Sequence, residues 1–492
     1  MMKEFTWENS KDEFGSKNLI GLDLETTGLN RNIEYERPTS AAILETNLNF
    51  ESPEIIVDDK CRLPYHILPD AGALNVTNIN PLELMDEPLS LFDLVQKIAR
   101  YLETSYDKAL VTYNGAAYDL IILRHSFFAH LFDPYLLVKA AEDRLHIDLY
   151  SLAQTIYCFF PNRIAFHKDQ DGKVILKQEL MATTNGIDPG DAHAAVDDVK
   201  TLLKLAKLIE EKVPEVFYSA LGSGNKKRVI ELLSENLFLN YGEVKYKERI
   251  AVKRTPTFIC QDPSYANNLV LFDLSFDPDD YIYLTAEEIA SIINKKGSPF
   301  FNIKANGSPV LLPGNLCELN GLSFDEARTR AQKIQENIGF KESVVIACDI
   351  NANKRTPWEK PDYSESQIYT NFIDSHDRLL SKAFLQTEST EDKIEIIHQM
   401  NDGRLIDFAK RLLASEDQNC DPVIKMNYQE FEANRLLSDD DVPWRTLNDA
   451  RKSVENVSKR MTVNETIMTA TKAYYDIAVS YTHLTLPTIL LV

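Results

Sequence analysis

The sequence predicts three successive regions: a layered α/β domain, a small β-rich domain and a helical domain. In the first third, short apolar runs alternate with amphipathic helical patterns, which is typical of a layered α/β fold. In the middle third, short β-like runs are broken by Asp, Pro, Asn and Gly. In the last third, glycine almost disappears and helical periodicity dominates. A chain of 492 residues with 44% apolar residues is long enough for several such domains.

The α/β domain is expected to cover residues 1–212. Short apolar runs favour strands at 18–24 and 110–113. Apolar residues at helical spacing favour helices at 90–102 and 194–209.

The β-rich domain is expected to cover residues 213–360. Strands are predicted at 249–252, 269–272 and 281–284. Their short length suits a small sheet or barrel.

The helical domain is expected to cover residues 361–478, with helices at 374–384 and 392–400. Residues 479–492 contain no Lys, Arg, Asp or Glu and follow a charged helical stretch. We expect this last segment to be a non-native tail and exclude it from the fold prediction.

The net charge argues at first against a nucleic-acid partner. The chain has 53 Lys and Arg residues against 75 Asp and Glu, a formal net charge of −22 and a pI near 4.9. Residues 1–212 carry −13, residues 213–360 carry −1 and residues 361–492 carry −8. A nucleic-acid function therefore requires a local positive surface, which the nearly neutral middle region could supply.

Composition also disfavours several other classes of protein. The six cysteines are scattered and form no C-x-x-C pair, so neither a disulfide framework nor a zinc site is expected. No segment has the pattern of a signal peptide or the ~20 apolar residues of a membrane span. We expect a protein of the reducing cytoplasm that makes no membrane contact.

Two carboxylates should project together from the end of the first predicted strand. If the apolar residues at 20, 22 and 24 face the core, Asp23 and Glu25 share the opposite face. Adjacent like charges raise each other's pKa unless a cation lies between them, which favours a divalent-metal site. Chance acids on a solvated edge strand are the alternative interpretation.

Two further acidic positions are candidates for the same site. Asp119 follows the second strand and an Asn-Gly turn, in the first turn of the next helix, where capping alone also explains it. His193 opens another predicted helix, and Asp197, four residues later, would share its helical face, whereas Asp198 would not. This preference for Asp197 holds unless His193 lies at or before the first helical turn, where the direction of its side chain is free. A surface histidine near a helix start is the alternative for His193.

Taken in order, D-x-E, a distant Asp and H-x4-D resemble the DEDDh exonucleases of the ribonuclease H-like fold. Closer resemblance to the bacterial exodeoxyribonuclease I family comes from LDLETTGLNRNIEYERPTSAAI, LPDAGALNVTNINP, LFDPYLL and AHAAVDDVKTLLKLAKL. It extends to GSPFFNIKANGSPVLLPGN and SQIYTNFIDSHDRLL, so it covers about residues 18 to 470. The family implies a ribonuclease H-like exonuclease domain, an SH3-like domain and a helical C-terminal domain.

The resemblance also implies an activity: 3′–5′ degradation of single-stranded DNA to 5′-mononucleotides in DNA repair and recombination. It implies that two Mg²⁺ ions, replaceable by Mn²⁺, support phosphodiester hydrolysis. Carried over by position, the metal ligands are Asp23, Glu25, Asp119 and Asp198, and the general base is His193. The family spacing of five residues after the histidine selects Asp198, in contrast to helix geometry alone.

Substrate contacts are also implied by position. Glu25, Thr26, Asn75 and Thr77 match residues that contact the terminal nucleotide. Lys177 stands where the family has an arginine, which keeps the charge but loses the planar fork and so affects affinity.

A basic stretch in the middle region is a second candidate substrate contact. Lys245, Lys247 and Arg249 would alternate on one strand face with aromatic residues interleaved, which suits single-stranded nucleic acid. A solvated edge strand protected by lysines is an equally good interpretation.

The family further implies a monomer that docks the acidic C-terminal tail of single-stranded DNA-binding protein on a basic pocket. The candidate residues for this pocket are Lys226, Lys227, Arg328 and Arg330. Two other functions fit the sequence: an RNA-directed DEDDh exonuclease and a non-catalytic single-strand-binding module. The presence of all five catalytic positions argues against the second.

Overall fold

The computed structural model describes residues 5–28, 32–138, 144–190, 194–293, 295–356, 359–460 and 462–485. Within these ranges, no helix is both long and apolar enough to span a lipid bilayer. The elements follow the predicted order of an α/β region, a region with short strands and a helical region.

A five-stranded mixed sheet forms the centre of the first region. Its strands occur in the order β3-β2-β1-β4-β5 and are β1 (Leu19–Thr26), β2 (Pro38–Thr46), β3 (Glu54–Lys60), β4 (Ala109–Thr112) and β5 (Leu145–Asp148). Strand β2 is antiparallel to β1 and β3, whereas β4 is parallel to β1 and β5. The carboxyl ends of β1, β4 and β5 therefore lie at one edge of the sheet, where functional side chains of α/β proteins commonly meet.

Helices cover both faces of this sheet. They are α1 (Trp7–Phe14), α2 (Ala71–Thr77), α3 (Pro81–Met85), α4 (Leu91–Glu103), α5 (Asp119–Ala129), α6 (Leu149–Phe159), α7 (Gln178–Thr184) and α8 (Ala195–Lys212). Ile20, Leu22 and Leu24 share a core with α4 and α5. On the other face α8 packs so closely that a Cβ at Gly21 would lie 2.6 Å from Val199. The predicted faces of β1 and the ribonuclease H-like architecture are confirmed.

The middle region combines short strands with helices. It follows the first region, in which a short hairpin of β6 (His167–Lys168) and β7 (Val174–Ile175) lies between α6 and α7. The elements of the middle region are α9 (Pro214–Gly222), α10 (Lys226–Glu235), β8 (Leu239–Lys245), β9 (Ile250–Arg254), β10 (Pro256–Gln261), β11 (Asn268–Asp273), α11 (Ala286–Ile292), β12 (Phe300–Lys304), β13 (Leu312–Pro313), α12 (Phe324–Glu336) and α13 (Ile338–Asn353). Two three-stranded sheets result, in the orders β10-β11-β12 and β13-β8-β9. Helix α9 belongs to the core of the first region, where Phe217 is completely buried.

One strand predicted in the middle region is wrong. Residues 281–284 form a turn rather than a strand, although their sequence has high β-propensity. A short 3₁₀ turn at Pro278–Asp280 precedes them, and Thr285 and Glu288 form a capping box that starts α11. These local hydrogen bonds begin a helix directly after the segment and leave no room for a strand.

The last region is helical. It contains α14 (Ser375–Gln386), α15 (Thr390–Gln399), α16 (Gly403–Glu416), α17 (Pro422–Leu437), α18 (Leu447–Arg460) and α19 (Glu465–Thr485). Helices α17, α18 and α19 share a hydrophobic core with α2 and α3 of the first region. Residues 479–485, the start of the expected tail, continue α19, and the Tyr481 hydroxyl donates to Glu432 Oε2 at 2.9 Å. The rest of that expected tail lies outside the described residues.

Candidate active site

Three carboxylates from two elements converge at the edge where β1 ends. One oxygen from each of Asp23, Glu25 and Asp198 lies within 4.8 Å of the other two. Asp23 and Glu25 project from the same face of β1 because side chains alternate along a strand. Asp198 lies in the first turn of α8, which packs across that face.

Asp119 completes a group of four acidic side chains. It is the first residue of α5, follows the end of β4 and is 7% exposed. Asp119 lies close to Asp23 and Glu25, because its charge contributes to raising the pKa of both carboxylates. Residues distant in sequence therefore supply four carboxylates to one small volume.

Burial and mutual repulsion make these carboxylates hard to ionise together. Burial raises the pKa of Asp23 well above its usual range, and the charges of the other three acids raise it further. Burial, followed by the charges of Asp198 and Asp119, raises the pKa of Glu25 to about 8. Burial raises the pKa of Asp119 to about 7. Divalent cations would relieve this repulsion, and carboxylate oxygens are the ligands that hard cations prefer, so the donor set fits such ions.

The structure separates Asp198 from its neighbour Asp197. The side chain of Gln178, on α7, donates to the Asp198 backbone carbonyl at 2.9 Å and to its Oδ1 at 3.4 Å. Asp197 instead pairs with Lys200 at 2.8 Å. Helix α8 begins at Ala195, with Ala194 as its N-cap, and Asp197 and Asp198 both lie in its first turn. His193 itself lies outside the described residues.

A buried aspartate at the end of β5 holds the turn that precedes Asp119. The carboxylate of Asp148 accepts hydrogen bonds from the backbone N–H groups of Asn114 at 2.7 Å, Ala116 at 3.2 Å and Tyr150 at 3.0 Å. Burial raises its pKa to about 6. Sequence reasoning missed Asp148, although an acid between a short apolar run and a helix is a usable signal for a capping residue.

The residues predicted to contact the terminal nucleotide have different surroundings. Thr26 is buried at the end of β1, with its hydroxyl 3.1 Å from the Tyr118 hydroxyl. The Asn75 side chain donates to the Thr462 carbonyl at 2.9 Å and accepts from the Asn464 N–H at 2.8 Å. Asn75 therefore joins α2 to the segment between α18 and α19.

Two more of these predicted contacts also differ in their surroundings. The Thr77 hydroxyl donates to the Ala73 carbonyl at 3.0 Å, within α2. Lys177 is exposed and directly precedes Gln178, the residue that contacts Asp198.

The predicted basic strand is a hairpin turn. Lys245 ends β8, residues 246–249 form the turn, and Arg249 has a φ of 54°. The period-two argument placed three cations on one strand face, and it is wrong because the strand ends at Lys245. Arg249 pairs with Asp169 at 2.7 Å, which links this turn to the tip of the β6–β7 hairpin. Tyr246 is 86% exposed and Lys247 is also exposed.

The candidate basic residues for partner docking make contacts within the chain. Lys226 donates to Asn267 Oδ1 at 2.7 Å, and Lys227 lies 3.9 Å from Glu231. Arg330 pairs with Glu326 at 2.7 Å and donates to the Leu274 carbonyl, whereas Arg328 is exposed. Helices α10 and α12 thus carry exposed positive charge, but the contacts of these four residues do not outline a pocket that would receive a peptide.

Comparisons with known proteins place this site in context. Residues 20–206 match the family RNase_T, described as Exonuclease. Exodeoxyribonuclease I of Haemophilus influenzae is 24% identical over 377 residues, which cover 72% of this chain and 77% of that protein. Exodeoxyribonuclease I of Escherichia coli is 24% identical over 386 residues, which cover 74% of this chain and 78% of that protein.

Solved structures share the fold over most of the chain. E. coli Exonuclease I in complex with a dT13 oligonucleotide has a TM-score of 0.76 at 19% identity, with 94% of this chain and 100% of that chain covered. An ExoI/SSB-Ct complex has a TM-score of 0.74 at 19% identity, with 95% and 99% covered. The similarity therefore extends well beyond the segment that carries the carboxylates.

Proposed function

We propose that this chain, whose resemblance to bacterial exodeoxyribonuclease I is confirmed by these relatives, is a 3′–5′ exonuclease of single-stranded DNA. The observation that carries the proposal is the convergence of Asp23, Glu25 and Asp198 within 4.8 Å, with Asp119 against the same strand. The full-length similarity to exodeoxyribonuclease I supports single-stranded DNA as the substrate. We propose DNA repair and recombination as its setting.

The four carboxylates are the proposed ligands of two Mg²⁺ ions, with Mn²⁺ able to replace them. Bound ions of this kind supply an activated water nucleophile and neutralise charge on the leaving oxygen. The protein holds the ligands in place from fixed elements: β1 carries two, α5 carries Asp119, and Gln178 orients Asp198 through its backbone carbonyl. We assign His193 as the general base, since a histidine can take a proton from water near neutral pH.

The single strand would approach past the two joined hairpins. Lys247 and Tyr246 project from the turn after β8, and the Arg249–Asp169 pair joins that turn to the β6–β7 hairpin. An exposed aromatic ring beside a lysine suits base stacking with phosphate attraction. Lys245, Lys247, Arg249 and Lys177 are therefore proposed substrate contacts, together with Glu25, Thr26, Asn75 and Thr77 near the terminal nucleotide.

Further properties follow from the same resemblance as proposals. The strands β8 to β13 would form an SH3-like domain within residues 213–360, between a nuclease domain at 1–212 and a helical domain at 361–478. The ExoI/SSB-Ct complex supports docking of the tail of single-stranded DNA-binding protein, and we propose α10 and α12 as the surface that receives it. We also propose a cytoplasmic monomer.

Digestion assays with labelled oligonucleotides test the function. With Mg²⁺, single-stranded DNA should lose a label at its 3′ end before a label at its 5′ end. EDTA should suppress this digestion. Duplex DNA or a matched RNA, offered as the substrate instead, should be digested poorly. Asp198→Asn should lower the rate by about a thousandfold or more, since loss of a metal ligand removes several kcal/mol of charge stabilisation. The matched control is Asp197→Asn, which alters the adjacent residue that pairs with Lys200. Equal rates for the two variants, or faster digestion of RNA, would contradict the proposal.

A further inference from the structure

The segment between α17 and α18 reaches back to the turn that follows β1. Arg445, in this segment, is 8% exposed. Its Nη1 donates to the carbonyl oxygens of Leu68 at 2.7 Å and Thr27 at 3.3 Å, and its Nη2 donates to Glu36 Oε1 at 2.9 Å. A guanidinium is planar and carries several donors in fixed directions, so it can hold three acceptors in one geometry.

Thr27 is the point where these bonds act on the candidate active site. It stands two residues after Glu25, and its hydroxyl donates to Glu36 Oε2 at 2.5 Å. The Arg37 N–H donates to the same hydroxyl at 3.0 Å, and the Asp70 N–H donates to the Thr27 carbonyl at 2.6 Å. Arg445 and Glu36 therefore enclose Thr27, the residue that directly follows the strand carrying two carboxylates.

The same guanidinium reaches the start of α2. Asp70 caps α2 by accepting from the N–H groups of Gly72 and Ala73. Nε of Arg445 lies 3.7 Å from Asp70 Oδ2. One side chain thus joins the turn after β1 to the helix that carries Asn75 and Thr77, the proposed contacts of the terminal nucleotide.

Packing at Gly28 shows how closely the guanidinium fits this turn. A Cβ at Gly28 would lie 2.7 Å from Arg445 Nη2 and 2.9 Å from the Asp70 Cβ. The Gly28 carbonyl also accepts from the Tyr118 hydroxyl at 2.5 Å, and Tyr118 directly precedes Asp119. A shift of Arg445 would therefore be transmitted to both sides of the carboxylate cluster.

We propose that Arg445 is a positioning residue for exonuclease activity, supplied by the C-terminal helical region to the nuclease site. In the described part of the chain its hydrogen bonds and ion pairs go to Thr27, Leu68, Glu36 and Asp70, none of which is a proposed metal ligand or substrate contact. It acts by fixing the Thr27–Gly28 turn relative to α2. The inference rests on the proposed function, because its effect is read as a rate of nucleotide removal. Loss of these bonds would let the Thr27–Gly28 turn shift, and a displacement of reacting groups by ~1 Å can lower the rate of an enzyme by about a hundredfold.

The test compares Arg445→Lys and Arg445→Gln with the control Arg451→Gln in the full-length protein. Arg451 lies on α18, is 53% exposed at its side chain and pairs with Asp476 at 3.3 Å. Single-turnover removal of the first 3′ nucleotide is measured with Mg²⁺. Titration of the same oligonucleotide in EDTA then counts the molecules competent to bind the strand.

We expect Arg445→Lys to lower the rate per competent molecule by about 10- to 100-fold, because the single nitrogen of lysine cannot replace the two guanidinium nitrogens that bond Thr27, Leu68 and Glu36. The titration end point should stay at the wild-type value, and the control should change neither quantity. If Arg445→Gln gives too little soluble protein, the lysine variant decides, because it keeps the buried positive charge opposite Glu36.

Two results would overturn the role of Arg445. One is a wild-type rate for Arg445→Lys. The other is a rate loss matched by an equal loss of binding-competent molecules, since that would show a purely structural contribution. A wild-type protein that binds the oligonucleotide but removes no nucleotide would instead overturn the proposed function, and the role of Arg445 with it.

Discussion

Neutralising Glu25 should stabilise the protein when divalent metal is absent. Burial, reinforced by the charges of Asp198 and Asp119, raises the pKa of Glu25 from 4.5 to about 8. The folded state therefore binds this proton more tightly than the unfolded state does. The contribution of Glu25 to stability is largest below the unfolded pKa and is lost as the pH rises through the folded pKa. Glu25→Gln removes this pH-dependent loss because glutamine does not ionise.

The size of the effect follows from the pKa difference. Each tenfold difference in proton affinity corresponds to about 1.4 kcal/mol. For Glu25 the cost is below about 1 kcal/mol at pH 5, about 3 kcal/mol at pH 7 and about 5 kcal/mol at pH 9. The metal-free variant should exceed the wild type in free energy of unfolding by these amounts.

Urea denaturation in EDTA at pH 5, 7 and 9 measures this difference. The control is Glu51→Gln, which makes the same chemical change at an exposed position. Excess Mg²⁺ should reverse the order of stability, because the wild type keeps all four proposed ligands and binding stabilises the folded state. The reasoning fails if the variant is no more stable than the wild type in EDTA at pH 9, or if their difference does not change with pH.

Three other substitutions test the surroundings of the site. Asp148→Asn should destabilise the protein by about 1–3 kcal/mol and reduce digestion, because an amide has one acceptor oxygen in place of the two that now accept from the Asn114 and Ala116 N–H groups. Urea denaturation and digestion rates measure these effects. An unchanged stability would contradict the expectation. Tyr246→Ala should weaken single-strand binding by about 1–3 kcal/mol. Lys247→Ala should reduce the salt dependence of binding by about 0.7 in the log–log slope, whereas Lys410→Ala, an exposed lysine on α16, should leave it unchanged. Equal slopes for the two lysine variants would remove the hairpin turn from the substrate path.

The sequence was most informative where one local pattern determines both fold and site. Period-two alternation placed Ile20, Leu22 and Leu24 in the core, and the same alternation put Asp23 and Glu25 together. This worked because β1 is buried on both faces, so its register leaves few alternatives. The resemblance was needed to choose Asp198, because the choice depends on where α8 begins, and a helix start is hard to locate from periodicity alone.

Prediction failed where a local hydrogen bond or a distant segment determines the structure. The capping box at Thr285 converts the β-like residues 281–284 into a turn, and the end of β8 at Lys245 breaks the expected row of cations. The partners of Asn75 lie almost 400 residues away in sequence, between α18 and α19. No property of residues 73–77 alone indicates that contact, because it exists only once the helical region has packed on α2.

The net charge of −22 is compatible with a DNA substrate once the charges are located. Charges farther apart than the Debye length of ~8 Å at physiological ionic strength are largely screened, so a strand at the hairpin turn interacts mainly with nearby groups such as Lys247. The four clustered carboxylates would repel the phosphate until divalent ions are bound, whereas bound ions would reverse the local sign. Under the proposed function, metal binding would therefore be a condition for productive entry of the 3′ end as well as for hydrolysis. It follows that Mg²⁺ should strengthen binding of the terminal nucleotide more than binding of the distal strand, and that added salt should weaken mainly the distal contacts.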